Sequence, residues 1–278
     1  MKTIKEVISL SEDYLAKAGF CSPRVDAEWL IGHALNLSRM ELYLKFDKPL
    51  NENELGKIRP LISRRAKGEP VQYICGSTEF YGLELSVGEG VLVPRPETES
   101  LVDTALKKCN DNSDVLDLCT GSGAIAIAIK KNKPSVNMTA VDISNEALSY
   151  AIKNSESLQA DIEFLEGNLL SPVSGRLFDV ITVNPPYVKN TERHLMGKDV
   201  LQHEPELALF AGDDGMDILN ILAQEAKSFL KQGGFFISEI GFTQGNACLQ
   251  IFKANGWSDV QIQKDLSGKD RFVLCFKA

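Results

Sequence analysis

Asp114-Val115-Leu116-Asp117-Leu118-Cys119-Thr120-Gly121-Ser122-Gly123-Ala124 is an apolar run that breaks into a glycine turn and resumes as Ile125-Ala126-Ile127-Ala128-Ile129. The first half has the aliphatic content of a strand buried on both faces, and the second half reads as a helix. Gly121 and Gly123 permit backbone angles, and a close approach of ligand, that a Cβ would forbid. The pattern is not the strict dinucleotide fingerprint G-x-G-x-x-G, because Ala126 stands where its third glycine would be.

Read outward, the chain repeats this alternation. Met138-Thr139-Ala140-Val141-Asp142 is a second strand. It ends in an acid about 20 residues beyond the turn, the spacing at which a carboxylate meets ribose hydroxyls. Ser144 opens a helix bearing Ala147, Leu148, Ala151 and Ile152, and Ile162–Leu165 is a third strand, followed by Glu166-Gly167-Asn168. Phe178–Val183 is a fourth, cut off by Asn184-Pro185-Pro186-Tyr187. Neither proline can donate a ladder hydrogen bond, so the strand stops there. An amide, a stiff backbone and a ring then sit past the carboxyl end of a strand, where open α/β sheets bind ligands. Taken alone, the four residues also read as an ordinary strand-ending turn. The order of strand, glycine turn, helix, strand-Asp, helix, strand, strand is that of a doubly wound nucleoside-binding α/β sheet. Farther on, the pattern predicts an amphipathic helix over 216–230 stopped by Gly233-Gly234, and a strand over 235–240. It then predicts a helix over 244–255 and a closing pair of strands near 257–263 and 271–276.

The region before the sheet is helical. Thr3 with Glu6 and Ser38 with Glu41 form capping boxes, and Ser22 with Pro23 opens another helix. A fourth helix is predicted over 53–67, kinked or split by Pro60. We expect a helical recognition domain over 1–73, a connecting β-hairpin over 74–90 that carries the strand Phe80–Val87, and the catalytic domain over 91–278. Pro94-Arg95-Pro96 stiffens the approach to a helix; Arg95 reaches a ligand or pairs with Glu97 or Glu99.

The formal charge of -8 argues against a broad nucleic-acid-binding surface. A basic cluster at Arg59, Arg64, Arg65 and Lys67 reads as the solvated face of a helix or as a local patch. The six cysteines are scattered without a C-x-x-C pair, and the three histidines lack ligand spacing. Reduced thiols, no metal and a cytoplasmic location follow as expectations. No apolar run approaches a membrane span, so no membrane association is expected.

Asp117 through Ala126 resembles motif I of S-adenosylmethionine-dependent methyltransferases, and Val183 through Val188 resembles the motif IV of those that methylate planar nitrogens. With Gly68–Ile74, Leu92–Glu99 and His203–Asp217, the whole chain resembles the peptide chain release factor glutamine N5-methyltransferase (PrmC/HemK) family. The resemblance implies a Rossmann-like, seven-stranded methyltransferase sheet with a reversed last strand. It implies S-adenosylmethionine as donor, S-adenosylhomocysteine as product, and as substrate the Gly-Gly-Gln glutamine of class 1 release factors. We expect a monomer that does not bind nucleic acid directly. Carried over by position, Cys119, Thr120, Gly121, Ser122 and Gly123 form the cofactor loop. Asp142 holds the ribose, Asn168 and Leu169 flank the adenine, and Asn184 touches both cofactor and substrate. Asn184, Pro185, Pro186 and Tyr187, with Arg95, are the substrate residues; of these Asn184, Pro185 and Tyr187 are the catalytic set. Two departures stand out: Cys119 replaces a usual glycine and Asn168 a frequent aspartate, with Leu169 where some members have an aromatic.

In the expected chemistry, the Asn184 side-chain oxygen and the Pro185 carbonyl accept the two N–H bonds of the substrate amide while Tyr187 packs on its plane. An adenine-N6 methyltransferase uses the same Asn-Pro-Pro-Tyr device and is the main alternative. A nicotinamide-dependent oxidoreductase lacks support in the glycine pattern. A non-catalytic release-factor binder is disfavoured by the intact Asn184–Tyr187 segment.

Overall fold

The computed structural model describes residues 1–278, which divide into two compact units, Met1–Ser77 with Gly197–His203, and Thr78–Met196 with Glu204–Ala278. The first unit consists of α1 (Ile4–Lys17), α2 (Pro23–Leu35), α3 (Arg39–Leu44), α4 (Glu52–Ala66), α5 (Val71–Cys75) and α9 (Lys198–His203). Capping boxes close the N-termini of α1, α3 and α4 through Thr3/Glu6, Ser38/Glu41 and Asn51/Glu54. Ser22 precedes α2 but makes no side-chain cap, contrary to the sequence reading; Pro23 alone supplies the start signal. Nor does Pro60 split α4, which runs unbroken. The lost bond costs only the carbonyl of Gly56, four residues back, and Leu55, Ile58 and Ile62 bury themselves on both sides of the proline. Residues 197–203, assigned by sequence to the catalytic part, cluster with these helices because Arg65 reaches Asp199 at 3.3 Å.

The second unit is built on a seven-stranded sheet in the order β5-β4-β3-β6-β7-β9-β8. Its strands are β3 (Asp114–Leu118), β4 (Asn137–Asp142), β5 (Glu163–Glu166), β6 (Phe178–Val183), β7 (Leu230–Glu239), β8 (Ser258–Lys264) and β9 (Asp270–Phe276). All neighbours pair in parallel except β9, which runs antiparallel between β7 and β8. Alternation along the strands divides the core. Leu116, Leu118, Ile181 and Val183 face α10 (Asp217–Glu225) and α11 (Gly245–Ala254). Val115 and Val180 join the other cluster with α6 (Glu99–Leu106) and α7 (Ala124–Asn132). Burying each such side chain contributes about 1.5–3 kcal/mol, so both faces need their helical layer.

Ahead of the sheet, β1 (Ser77–Phe80) and β2 (Leu83–Ser86) form a hairpin across Tyr81 and Gly82, with φ +52° and +70°. The sequence reading ran one strand through this turn. Two left-handed residues in a two-residue loop are what the twist of a hairpin favours. A second correction concerns 216–230. Helix α10 ends at Glu225, a 3-10 turn covers Ala226–Phe229, and β7 begins at Leu230. Gly233-Gly234 therefore lie within β7 rather than ending a helix. They sit where the register slips, Phe178 facing Leu230 but Val180 facing Phe235, and Gly233 takes φ +73° there. β5 lies one residue later than expected.

The order reverses at β3: β4 and β5 lie to one side, β6 and β7 to the other. Leu118 pairs with both Val141 and Val183, so the segments after β3, β4 and β6 emerge at one sheet edge.

Candidate active site

Along that edge the glycine turn is strained and tightly anchored. Cys119, Gly121 and Gly123 have φ +55°, +56° and +80°. For Cys119 this is the left-handed region, which costs a residue with a Cβ about 1–2 kcal/mol and which glycine adopts freely. A Cβ on Gly123 would meet Ile127 Cδ1 at 3.0 Å and Ala151 Cβ at 3.2 Å, so glycine lets α7 close on α8 (Asn145–Leu158). On Gly121 it would meet only Val91 Cγ2, at 3.9 Å, and would project into the cavity above the turn.

That cavity is lined by Cys119, Thr120, Gly121 and Ser122 from the turn, Asp142 from β4, and Gly167, Asn168 and Leu169 after β5. Phe80, Val91, Leu92 and Leu207 supply apolar walls, while Thr98, Asn184 and Pro186 also border it. The structure thus brings together nearly every residue of the expected cofactor set. Gly123 stands apart from the lining, as do Pro185, Tyr187 and Arg95.

Asp142 is committed on both oxygens. Oδ2 accepts the Gly121 N–H at 2.8 Å and Oδ1 the Ser144 N–H at 2.9 Å. Burial raises its pKa, opposed by these backbone donors. A two-oxygen acceptor fixed beside a glycine turn with open space above it suits a ribose and a cationic amino acid tail. The residues present therefore fit a nucleoside-linked cofactor.

Asn184 Nδ2 donates to Thr98 Oγ1 at 3.4 Å. Tyr187 is placed differently from expectation: its hydroxyl donates to Glu239 Oε1 at 3.0 Å, and its ring is not part of the cavity wall. Its backbone carbonyl is held by Gln244 Nε2 at 3.1 Å, which also binds the Gly215 carbonyl at 3.0 Å. Arg95 pairs with neither Glu97 nor Glu99. It binds both oxygens of Glu204 at 2.7 and 2.6 Å, while Glu99 accepts the Tyr81 N–H. Glu204 is buried, so the longer loop closure to position 204 is outweighed by a desolvated acid that needs a cation.

Three residues here escaped the sequence reading. Thr98 was quoted only as part of the 94–99 segment. Glu239 ends a strand at the same sheet edge as Asp142, a signal that was available. Asp117 is fully buried under the turn, accepting from Thr120 Oγ1 at 2.6 Å and Thr182 Oγ1 at 2.7 Å. Burial pushes its pKa up to about 7. An acid whose folded pKa exceeds its unfolded value near 3.8 contributes stability that is complete below 3.8 and lost as pH rises through about 7. The loss is on the order of 4 kcal/mol. Asp117→Asn is expected to flatten this part of the pH dependence. Urea midpoints at pH 5 and pH 8 check it: wild type falls between them by more than the variant does.

Residues 6–76 match the PrmC N-terminal domain family and residues 96–208 the methyltransferase small domain family. The release factor glutamine methyltransferase of Geobacter sulfurreducens is 39% identical over 271 residues, spanning 98% of this chain and 95% of that protein. That of Leptospira interrogans is 40% identical over 279 residues, spanning 98% and 97%. Among solved structures, a methyltransferase from Pyrococcus furiosus shares the fold at 20% identity, with a TM-score of 0.53 over 71% of this chain and 90% of that one. With relatives about 40% identical over nearly the whole chain, the chain belongs to the release factor glutamine methyltransferase family.

Proposed function

We propose that this enzyme transfers a methyl group from S-adenosylmethionine to the side-chain amide nitrogen of the glutamine in the Gly-Gly-Gln motif of class 1 release factors, and so modulates translation termination. The carrying observation is Asn184 at the cavity edge with its amide nitrogen turned onto Thr98. Its oxygen is thereby left for a substrate N–H. The Pro185 carbonyl accepts the second N–H, and the two together set the amide nitrogen in line with the donor methyl. Tyr187, held through Glu239 and Gln244, keeps the segment rigid rather than stacking on the amide. The Cys119–Gly123 turn, Asp142, Asn168 and Leu169 hold the cofactor, which supplies an electrophilic methyl on a sulfonium. Arg95 acts on substrate only through Glu204 and the loop it anchors. The helical unit is the recognition domain for the release factor.

The adenine reading has less support. Three of the four cluster residues, Arg59, Arg64 and Arg65, pair with Glu52, Glu69 and Asp26, which leaves little free positive charge for a phosphate backbone. The deciding experiment supplies labelled S-adenosylmethionine with a release factor, its Gln→Ala variant, and DNA. Label is expected on the first alone. Label on the Ala variant, or on DNA with none on the release factor, overturns the assignment.

A further inference from the structure

Behind Asn184 lie Thr98 and Glu239, two side chains whose joint effect on the Asn184 amide the reading above leaves unassigned. Thr98 precedes α6 and Glu239 ends β7; both are buried, Glu239 at 1% exposure. Thr98 Oγ1 lies 2.6 Å from Glu239 Oε2, the Tyr187 hydroxyl 3.0 Å from Oε1, and Asn184 Nδ2 3.4 Å from Thr98 Oγ1. A hydroxyl has one proton to give, and the Thr98 and Tyr187 hydroxyls both give theirs to Glu239. Thr98 Oγ1 can therefore only accept from Asn184. The Asn184 amide is otherwise free to turn over, because its NH2 and oxygen ends are nearly the same size. Turned over, it would set an NH2 against the NH2 of the substrate.

We propose that Thr98 and Glu239 are positioning residues that lock the Asn184 amide with its oxygen toward the substrate, so that the site accepts a carboxamide and rejects a carboxylate at the methylated position. The proposal rests on the functional reading above. Thr98 borders the cavity and Glu239 lies outside its wall; both act by deciding which end of Asn184 meets the substrate. In Glu239→Gln the new NH2 can donate to Thr98, freeing the Thr98 proton for the Asn184 oxygen and stabilising the wrong orientation. Thr98→Val removes the acceptor altogether at nearly constant volume.

The test measures kcat, KM for S-adenosylmethionine and thermal midpoint of wild type, Thr98→Val, Thr98→Ser and Glu239→Gln, with a release factor as substrate. It adds the inhibition constant of the release factor's Gln→Glu variant. Thr98→Val and Glu239→Gln are expected to lose about 10-fold or more in kcat, the worth of a misdirected hydrogen bond, with KM for the cofactor within about threefold. Thr98→Ser restores most of the rate. Glu239→Gln binds the Gln→Glu release factor several-fold more tightly than wild type does. Unchanged kcat in both variants overturns the proposal. So does a parallel loss of cofactor affinity and thermal midpoint with no change in preference between carboxamide and carboxylate, since that marks a purely structural role. Failure of wild type to label the glutamine at all sinks the functional reading itself, and is seen before any variant is compared.

Discussion

Asn184→Ala is expected to lower kcat by about 10²–10³-fold, the usual cost of deleting one preorganised hydrogen-bonding group from a transition-state site, while the dissociation constant for S-adenosylmethionine changes no more than about threefold. A carboxamide nitrogen is a poor nucleophile because its lone pair is delocalised into the carbonyl. Catalysis by this chain's residues consists largely in holding that nitrogen where its developing positive charge is met by oxygen atoms. Alanine removes the side-chain acceptor and leaves the Pro185 carbonyl. The substrate amide can then rotate, and fewer bound molecules lie in line for transfer. The strand and the Pro-Pro segment stay in place, since Val183 pairs with Leu118 and Tyr187 is held by Glu239 and Gln244. Single-turnover methylation together with calorimetric titration of the cofactor separates the two quantities. Comparable losses in rate and cofactor affinity would show instead that Asn184 supports the fold of the edge.

The contrast between what sequence shows and what it leaves out is plain around this residue. The strand before Asn184 was legible over its whole length because Phe178, Val180, Ile181 and Val183 make a mostly β-branched, largely apolar run that two prolines end. The glycine turn was legible because two glycines and a following acid have few other uses. Thr98 and Glu239 were not, because their roles depend on a contact between positions 141 residues apart. No local period or spacing encodes that contact. Arg95 failed for a related reason: the nearest acids in sequence, Glu97 and Glu99, lost to Glu204, which burial had stripped of water. The end of α10 was misjudged because glycines usually end helices; here register slippage against β6 required them inside a strand. Local rules gave way wherever a tertiary partner offered a stronger interaction.

Asp142→Ala is expected to act on the other half of the reaction, raising the dissociation constant for S-adenosylmethionine about 100-fold or more while kcat at saturating cofactor stays within about 10-fold. The carboxylate anchors the Gly121 and Ser144 backbone N–H groups, and in the proposed cofactor site it accepts from the ribose hydroxyls. Charge-assisted hydrogen bonds contribute about 1.5–3 kcal/mol each, so losing two ribose contacts alone accounts for the change. Losing the Gly121 anchor adds to it, because a left-handed turn without its partner must be ordered on binding. Asp142→Asn is no conservative replacement: one arm of the amide becomes a donor facing a backbone N–H that needs an acceptor. The same residue sets the sign of a pH effect. Only the ionised form accepts all of these donors, and burial raises the Asp142 pKa. Cofactor affinity is therefore full above that raised value and weakens as pH falls through it, whereas Asp142→Ala is flat over the same range. Calorimetric titrations of wild type and variant across the acidic range decide the point: a parallel decline in both would place the titrating group elsewhere, and an affinity unmoved by the alanine would remove Asp142 from the cofactor site.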